Sequence, residues 1–297
     1  MKRWFVLISI ASTLFIIQAC SSQVTSKETP TSASPVSDKN HHGEHSMGEA
    51  DENKSPDSHQ EHTENTKVTQ AKLTVPANIT ATKPISLVID VQDLDGKPIA
   101  NFETFQEKLM HLIVVTDDLQ YFSHLHPNYQ QKGRFEVQAT FPKPGGYTLF
   151  SDYKPAQKPE QVSVLKTQIP GTASSPEKLD LTTTKTFGNT KVILTASQAI
   201  IKAGEEVNLM FNLQNTANNQ PVTDLQSYLG ERGHLVIIKQ SSPLTEADYI
   251  HSHAIKDSPT GEVHFMTSFP KPGKYKLWGQ FNLNGKIITA DFWVNVV

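Results

Sequence analysis

The stretch Phe141-Pro142-Lys143-Pro144-Gly145, leading into Tyr147-Thr148-Leu149-Phe150, returns as Phe269-Pro270-Lys271-Pro272-Gly273, leading into Tyr275-Lys276-Leu277-Trp278. Each copy is a proline and glycine turn followed by an aromatic and aliphatic run, the pattern of a strand entered through a tight turn. Upstream, Met110-His111-Leu112-Ile113-Val114-Val115 matches Gly233-His234-Leu235-Val236-Ile237-Ile238. A His-x-His pair follows each, His124 with His126 and His251 with His253. The chain reads as one module written twice.

Outward from these runs the texture is that of β-structure. In the first half, 72–76, 85–91, 109–115, 134–141, 147–153 and 161–169 are short β-branched or aromatic runs. Turn signals such as Asp95-Gly96 and Pro127-Asn128 separate them. The second half repeats the order at 191–196, 206–213, 234–239, 262–269, 275–281 and 287–296, and no amphipathic helix of convincing length occurs. Six strands in roughly 100 residues fit an immunoglobulin-like sandwich. The expected fold class is all-β, with sandwiches at 71–169 and 178–297 joined by a Pro-, Gly- and Ser-rich linker at 170–177.

The N-terminal part is read separately. Met1-Lys2-Arg3 precedes an apolar run from Trp4 to Ile17, too short for a stable span, so 1–19 is expected to be a secretory signal. Ile17-Gln18-Ala19-Cys20 resembles a bacterial lipobox, which makes Cys20 the expected lipidation site and a membrane the first partner. Cys20 is the only cysteine of the 297 residues, so no internal disulfide can form, and its lipidation is expected to leave no thiolate for a His₂Cys blue-copper centre. Residues 20–70 hold almost no large apolar side chain and are expected to be a disordered tether. Nine acidic residues against four lysines give 21–70 a balance of −5, and nothing basic speaks for nucleic acid. The tether carries His41, His42, His45, Met47, His59 and His62, a composition associated equally with loose metal binding and with solvated filler. The expected location is a cell-membrane or outer-membrane lipid anchor, with the chain on the periplasmic or extracellular side.

Met-His-Leu-Ile-Val-Val at 110–115 with Phe-x-His-Leu-His-Pro at 122–127, and Gly-His-Leu at 233–235 with Tyr-x-His-x-His at 249–253, resemble the YtkA-like secreted bacterial domains. The resemblance covers both halves from about residue 71. It implies immunoglobulin-like sandwiches in exported lipoproteins, often encoded beside copper or heavy-metal handling proteins, and no firm activity.

Side chains alternate along a strand, so His111 shares a face with Ile113 and Val115, while Met110, Leu112 and Val114 share the other. Both faces are apolar, which places the strand in a doubly buried position. A returning hairpin brings His124 and His126 within reach of His111, and the second copy does the same with His234, His251 and His253. Three neutral imidazoles with an open fourth position suit copper or zinc, copper having the higher intrinsic affinity among divalent ions. The bland alternative is a hydrogen-bonded histidine network copied with the fold. His264 is expected to face solvent, Met110 to be core, and Phe150 and Trp278 to be core or interface. Asp152, aligned with Gln280, is a candidate to complete the first trio.

No nucleophile elbow, His-Glu-x-x-His helix or phosphate-cradling loop is present, so an enzyme is not expected. Two functions stay open. One is a membrane-anchored metal-binding protein with one trio per domain, acting in capture, buffering or delivery with a metal-transport or envelope partner. The other is a cell-envelope interaction module whose histidines are structural.

Overall fold

The computed structural model describes residues 67–172 and 179–297. The signal segment, Cys20, the tether histidines and residues 173–178, which include linker residues 173–177, lie outside the described residues. The described residues form an all-β protein of two repeated immunoglobulin-like sandwiches, with no α-helix and one 3-10 turn at Glu246–Asp248.

The first domain runs β1 (Thr69–Thr74), β2 (Pro84–Asp93), β3 (Phe102–Glu103), β4 (Met110–Thr116), β5 (Phe122–Leu125), β6 (Asn128–Tyr129), β7 (Arg134–Thr140), β8 (Gly145–Pro155) and β9 (Gln161–Ile169). Its sheets are β1-β2-β7-β6 and β3-β8-β4-β5, with β9 also paired to β8. β1 starts inside the stretch read as tether. Thr69 pairs with Asp93 and its hydroxyl meets the Tyr153 hydroxyl at 3.1 Å, partners that the polar composition of that stretch concealed.

The second domain runs β10 (Thr184–Phe187), β11 (Thr190–Ala196), β12 (Glu206–Asn215), β13 (Leu225–Gln226), β14 (His234–Lys239), β15 (Tyr249–His253), β16 (Glu262–Ser268), β17 (Gly273–Leu283) and β18 (Lys286–Val296). Its sheets are β10-β11-β12-β16 and β13-β17-β14-β15, with β18 on β17. The second domain thus reproduces the first, β14 standing for β4, β15 for β5 and β17 for β8.

The repeated Phe-Pro-Lys-Pro-Gly motif is a structural corner. Tyr147 donates its hydroxyl to the Lys143 carbonyl at 2.8 Å and Tyr275 to that of Lys271 at 2.7 Å, while Phe141 and Phe269 are fully buried against these rings. This is the tyrosine-corner arrangement of immunoglobulin-like folds. Gly145 and Gly273 sit at φ 135° and 143°, a backbone region that side chains rarely adopt.

Alternation along β4 and β14 explains why both read as buried throughout. Met110, Leu112 and Val114 enter the first core beside Leu87, Ile89, Phe135 and Leu149, and Leu235 and Ile237 enter the second beside Phe211, Phe265 and Phe281. The opposite faces meet each other. Ile113, Val115, Leu119 and Phe150 of the first domain pack with Val236, Ile238, Leu244, Tyr249, Trp278 and Trp293 of the second in a third apolar cluster. At roughly 25 cal/mol per Å² of apolar surface, a cluster rich in aromatic side chains is a substantial adhesive between domains.

A local two-fold relation runs through this interface. Phe122 stacks on Trp278 with ring centres 4.8 Å apart, and its counterpart Tyr249 stacks on Phe150, the counterpart of Trp278, at 5.0 Å. His111 and His234 lie on the same faces as these side chains, at the strand beginnings. Both histidine sets are therefore delivered to one end of one interface.

Candidate metal centre

β5 returns antiparallel to β4 with His124 opposite Ile113, and β15 returns to β14 with His251 opposite Val236 and His253 opposite His234. Each hairpin thus gathers its own histidines, as their spacing suggests. The donors then group across the domain boundary rather than as one trio per domain. One ring nitrogen from each of His111, His124 and His234 lies within 4.8 Å of the others, and so does one donor atom from each of Asp152, Glu160 and His251. The rings of His124 and His234 are centred 4.6 Å apart, and those of His234 and His251 4.5 Å apart.

Hydrogen placement decides what these rings can do. Nε2 of His111 lies 3.2 Å from the Phe105 carbonyl, which only accepts, so that nitrogen carries the hydrogen and Nδ1 presents a lone pair. Nδ1 of His124 lies 2.8 Å from Oε1 of Gln280, another acceptor, so His124 carries its hydrogen there and Nε2 is bare. The two bare nitrogens then face each other at 3.0 Å. Two neutral rings hold two hydrogens and three contacts require three. A proton, a Gln280 amide turned end for end, or a metal ion makes up the deficit.

On the other side, Nδ1 of His251 donates to Oδ2 of Asp152 at 3.0 Å, which leaves Nε2 of His251 to accept from Nε2 of His234 at 2.6 Å. The remaining nitrogen of His234, Nδ1, is buried with no partner. A metal-ligating histidine usually donates its outer N–H to a carbonyl or carboxylate, directly as His111 does to Phe105 and His124 to Gln280. His234 is backed by a chain through His251 to Asp152. Nε2 of His126, also buried without a partner, is a candidate for a further position. A bound zinc holds its nitrogens at about 2.0–2.1 Å, so three donors already within 4.8 Å of one another are close enough to be drawn onto one ion.

Burial keeps these groups neutral. It draws His111 down to about 3 and His126 to about 4, and holds His124 and His234 well below the ordinary imidazole value, the charge on neighbouring rings adding to it for His111, His124 and His234. His251 is lowered by burial, with Glu160 opposing. Burial pushes Asp152 up to about 7, and burial with the neighbouring Asp152 charge pushes Glu160 up to about 8. Neutral imidazoles at pH 7 are the form that binds metals.

A family model described as a domain of unknown function (DUF8832) matches residues 65–168 and again 185–297. The chain belongs to this family. The DUF8832 match, twice over, agrees with the repeat seen in the fold, while the YtkA-like resemblance is not the family found. No curated protein matches the chain. Similar solved structures include a Salmonella alpha-2-macroglobulin mutant (13% identity, TM-score 0.26), covering 77% of this chain and 15% of that one. Invasin, a bacterial integrin-binding protein, follows at 12% identity and TM-score 0.23, covering 75% and 39%. A tetra-tandem repeat from the extending region of a large adhesion protein has 9% identity and TM-score 0.26, covering 77% and 49%. The chain spans less than half the length of each of these chains, and likenesses at such scores carry no argument.

Other residues singled out by sequence fall as follows. His253 is exposed and His126 half-buried, so each hairpin keeps one histidine toward the rim. His264 lies apart, its Nε2 2.6 Å from Glu262. Met110 is core, its sulfur accepting from the Ser151 hydroxyl. Asp152 stands opposite His111 in the strand register, yet its carboxylate serves His251 of the other domain, because the interface face of β8 looks across at β15. Sequence reasoning missed Glu160, the Phe105 carbonyl and the contact of Gln280 with His124. The carbonyl leaves no trace in a side-chain pattern, and Glu160 precedes β9 with no acidic counterpart in the second half. Asp118 and Asp248, which flank the hairpins, close local turns with Thr116 and Thr245.

Proposed function

We propose that this DUF8832 protein binds a transition metal ion, copper or zinc, at a single centre shared by its two domains, with His111, His124 and His234 as ligands. The observation that carries this reading is the hydrogen deficit: two imidazole nitrogens face each other at 3.0 Å while their outer nitrogens both point at oxygen acceptors. The unpartnered Nδ1 of His234 adds a third donor. A nitrogen-only donor set of this kind favours copper or zinc over magnesium or calcium. The role is binding rather than catalysis: capture, buffering or delivery of the ion outside the cytoplasm. In this reading Cys20 carries the lipid that anchors the chain to a membrane, the histidine-bearing tether collects ions loosely, and a transport or envelope protein exchanges them.

The test is calorimetric titration with Cu²⁺ and Zn²⁺ of the full chain with His41, His42, His45, His59 and His62 changed to Ala, with a competing chelator to suppress weak sites. One tight ion is expected, lost in His124→Ala while the metal-free thermal transition persists. Binding no tighter than that of an isolated surface histidine refutes the proposal and leaves the histidines as structural groups of an interaction module.

A further inference from the structure

The donors Asp152, Glu160 and His251 adjoin the imidazole centre and remain unexplained by it. The second domain shows that the fold does not require them. From the registers Asp152 with Val162 and Gln280 with Thr289, the second-domain counterparts of Asp152 and Glu160 are Gln280 and Ile287. Tyr249, which donates its hydroxyl to Asp152 at 3.2 Å, has Phe122 as counterpart. Three polar substitutions thus converge on one pole of an otherwise symmetric interface. Asp152 is fully buried, and its Oδ1 has no partner among the described residues. His253, exposed, has its ring centred 5.4 Å from that of His251, and Glu160 is half-buried.

We propose that Asp152, Glu160 and His251 form an outer station through which a divalent transition-metal ion passes on its way between solvent, at His253, and the buried imidazole centre. The inference rests on the reading of that centre as a metal site. The ring centres of His253, His251, His234 and His124 follow one another at 5.4, 4.5 and 4.6 Å, a spacing at which an ion exchanges one ligand for the next without returning to bulk water.

The hydrogen between His251 and His234 makes the two stations alternate. An ion on Nδ1 of His251 requires the hydrogen of that ring on Nε2, donated to Nε2 of His234. His234 then keeps its own hydrogen on Nδ1, which removes it as a ligand of the inner centre. When the ion moves inward, the central hydrogen shifts to Nε2 of His234. One proton leaves Nδ1 of His234 and one returns to Nδ1 of His251 on the Asp152 side. Within the His251 and His234 pair no net proton is gained or lost; protons held by the Asp152 and Glu160 carboxyl groups leave to solvent as the ion binds between them and return as it moves inward, and the chain holds one ion at a time.

The experiment uses the full chain with the five tether histidines changed to Ala, with Zn²⁺ for stoichiometry and stopped-flow exchange and Co²⁺ as a spectroscopic probe. One ion per chain is expected. Glu160→Gln and, separately, His253→Ala are expected to slow both loading and release at least tenfold, whereas loss of an equilibrium ligand speeds release. His234→Ala is expected to retain Co²⁺ with the spectrum of an oxygen-richer donor set. Two ions bound at once, or wild-type loading rates in both Glu160→Gln and His253→Ala, overturn the proposal while leaving the imidazole centre standing. No ion in the parent chain overturns the metal reading itself.

Discussion

Acidification of the metal-free protein puts the buried cluster under the most direct strain. The groups that face one another across the interface are His111 from β4, His124 and His126 from β5, His234 from β14 and His251 from β15. Asp152 from β8, Glu160 before β9, Tyr249 and His253 from β15, Glu246 and Lys108 stand beside them. The folded-state values of His111, His124, His126 and His234 are drawn far down and that of His251 is lowered as well, so below about pH 6.5 the unfolded chain takes up protons the folded chain refuses. Stability from these imidazoles is present above that pH and lost as pH falls. Asp152 and Glu160 are raised, to about 7 and about 8, so the folded chain holds their two protons where the unfolded chain does not. Their contribution has the opposite sign and is lost as pH rises through about 7 to 8.

Between about pH 6 and 5 the unfolded chain thus binds about two more protons than the folded one. At about 1.4 kcal/mol per proton per pH unit, that is a loss of about 3 kcal/mol for each unit of acidification. It is a large share of a typical 5–15 kcal/mol stability. Urea unfolding in the presence of a chelator, from pH 8 to 4.5, is expected to show maximal stability near pH 6.5 with a limb falling on each side. Asp152→Asn is expected to steepen the acid limb toward about 4 kcal/mol per unit and to flatten the alkaline one. Equal stability at pH 6.5 and 5 would refute the burial of four neutral imidazoles.

Phe150→Ala removes a ring fully buried between the domains and is expected to cost about 3–5 kcal/mol. It is also expected to weaken metal affinity at least tenfold in chelator competition, and wild-type affinity would show that one domain alone holds the ion. Tyr275→Phe deletes the hydrogen bond to the Lys271 carbonyl and should lower urea stability by about 0.5–1.5 kcal/mol. Gly133, at φ 77°, has its missing Cβ position 2.2 Å from the Val91 carbonyl oxygen, so Gly133→Ala should destabilise the fold by about 2 kcal/mol or more, read as a lower thermal midpoint. His264→Ala should leave metal stoichiometry unchanged and alter stability by under about 1 kcal/mol, since its carboxylate partner is partly open to solvent.

Much of this architecture was legible in residue order. Alternation along Leu109 to Val115 announced a strand with two apolar faces, and the His-x-His pairs announced hairpins returning beside it. What alternation withholds is the identity of the cover: it says that Ile113 and Val115 are buried, not that Val236 and Ile238 bury them. The site was divided between the domains for that reason. A signal was available in the aligned pairs Phe122 with Tyr249 and Phe150 with Trp278, since four matched aromatics on outward faces suggest two copies packing on each other. In sequence Asp152 reads as a neighbour of His111, because strand register gives a neighbour within the sheet and not His251 across it. Gln280 reads only as the aligned counterpart of Asp152, and nothing in residue order marks Glu160.

The local two-fold relation carries a consequence for how such a site diversifies. In a symmetric pair of identical chains, every substitution at the shared interface is made twice, so a carboxylate placed beside one histidine is placed beside its symmetry mate as well. Joining the two copies in one chain lifts that constraint. Asp152 can stand across from His251 while Gln280 stands across from His124. The covalent tandem thereby gives a polarity, an inside and an outside end, to an interface that symmetry would have made directionless.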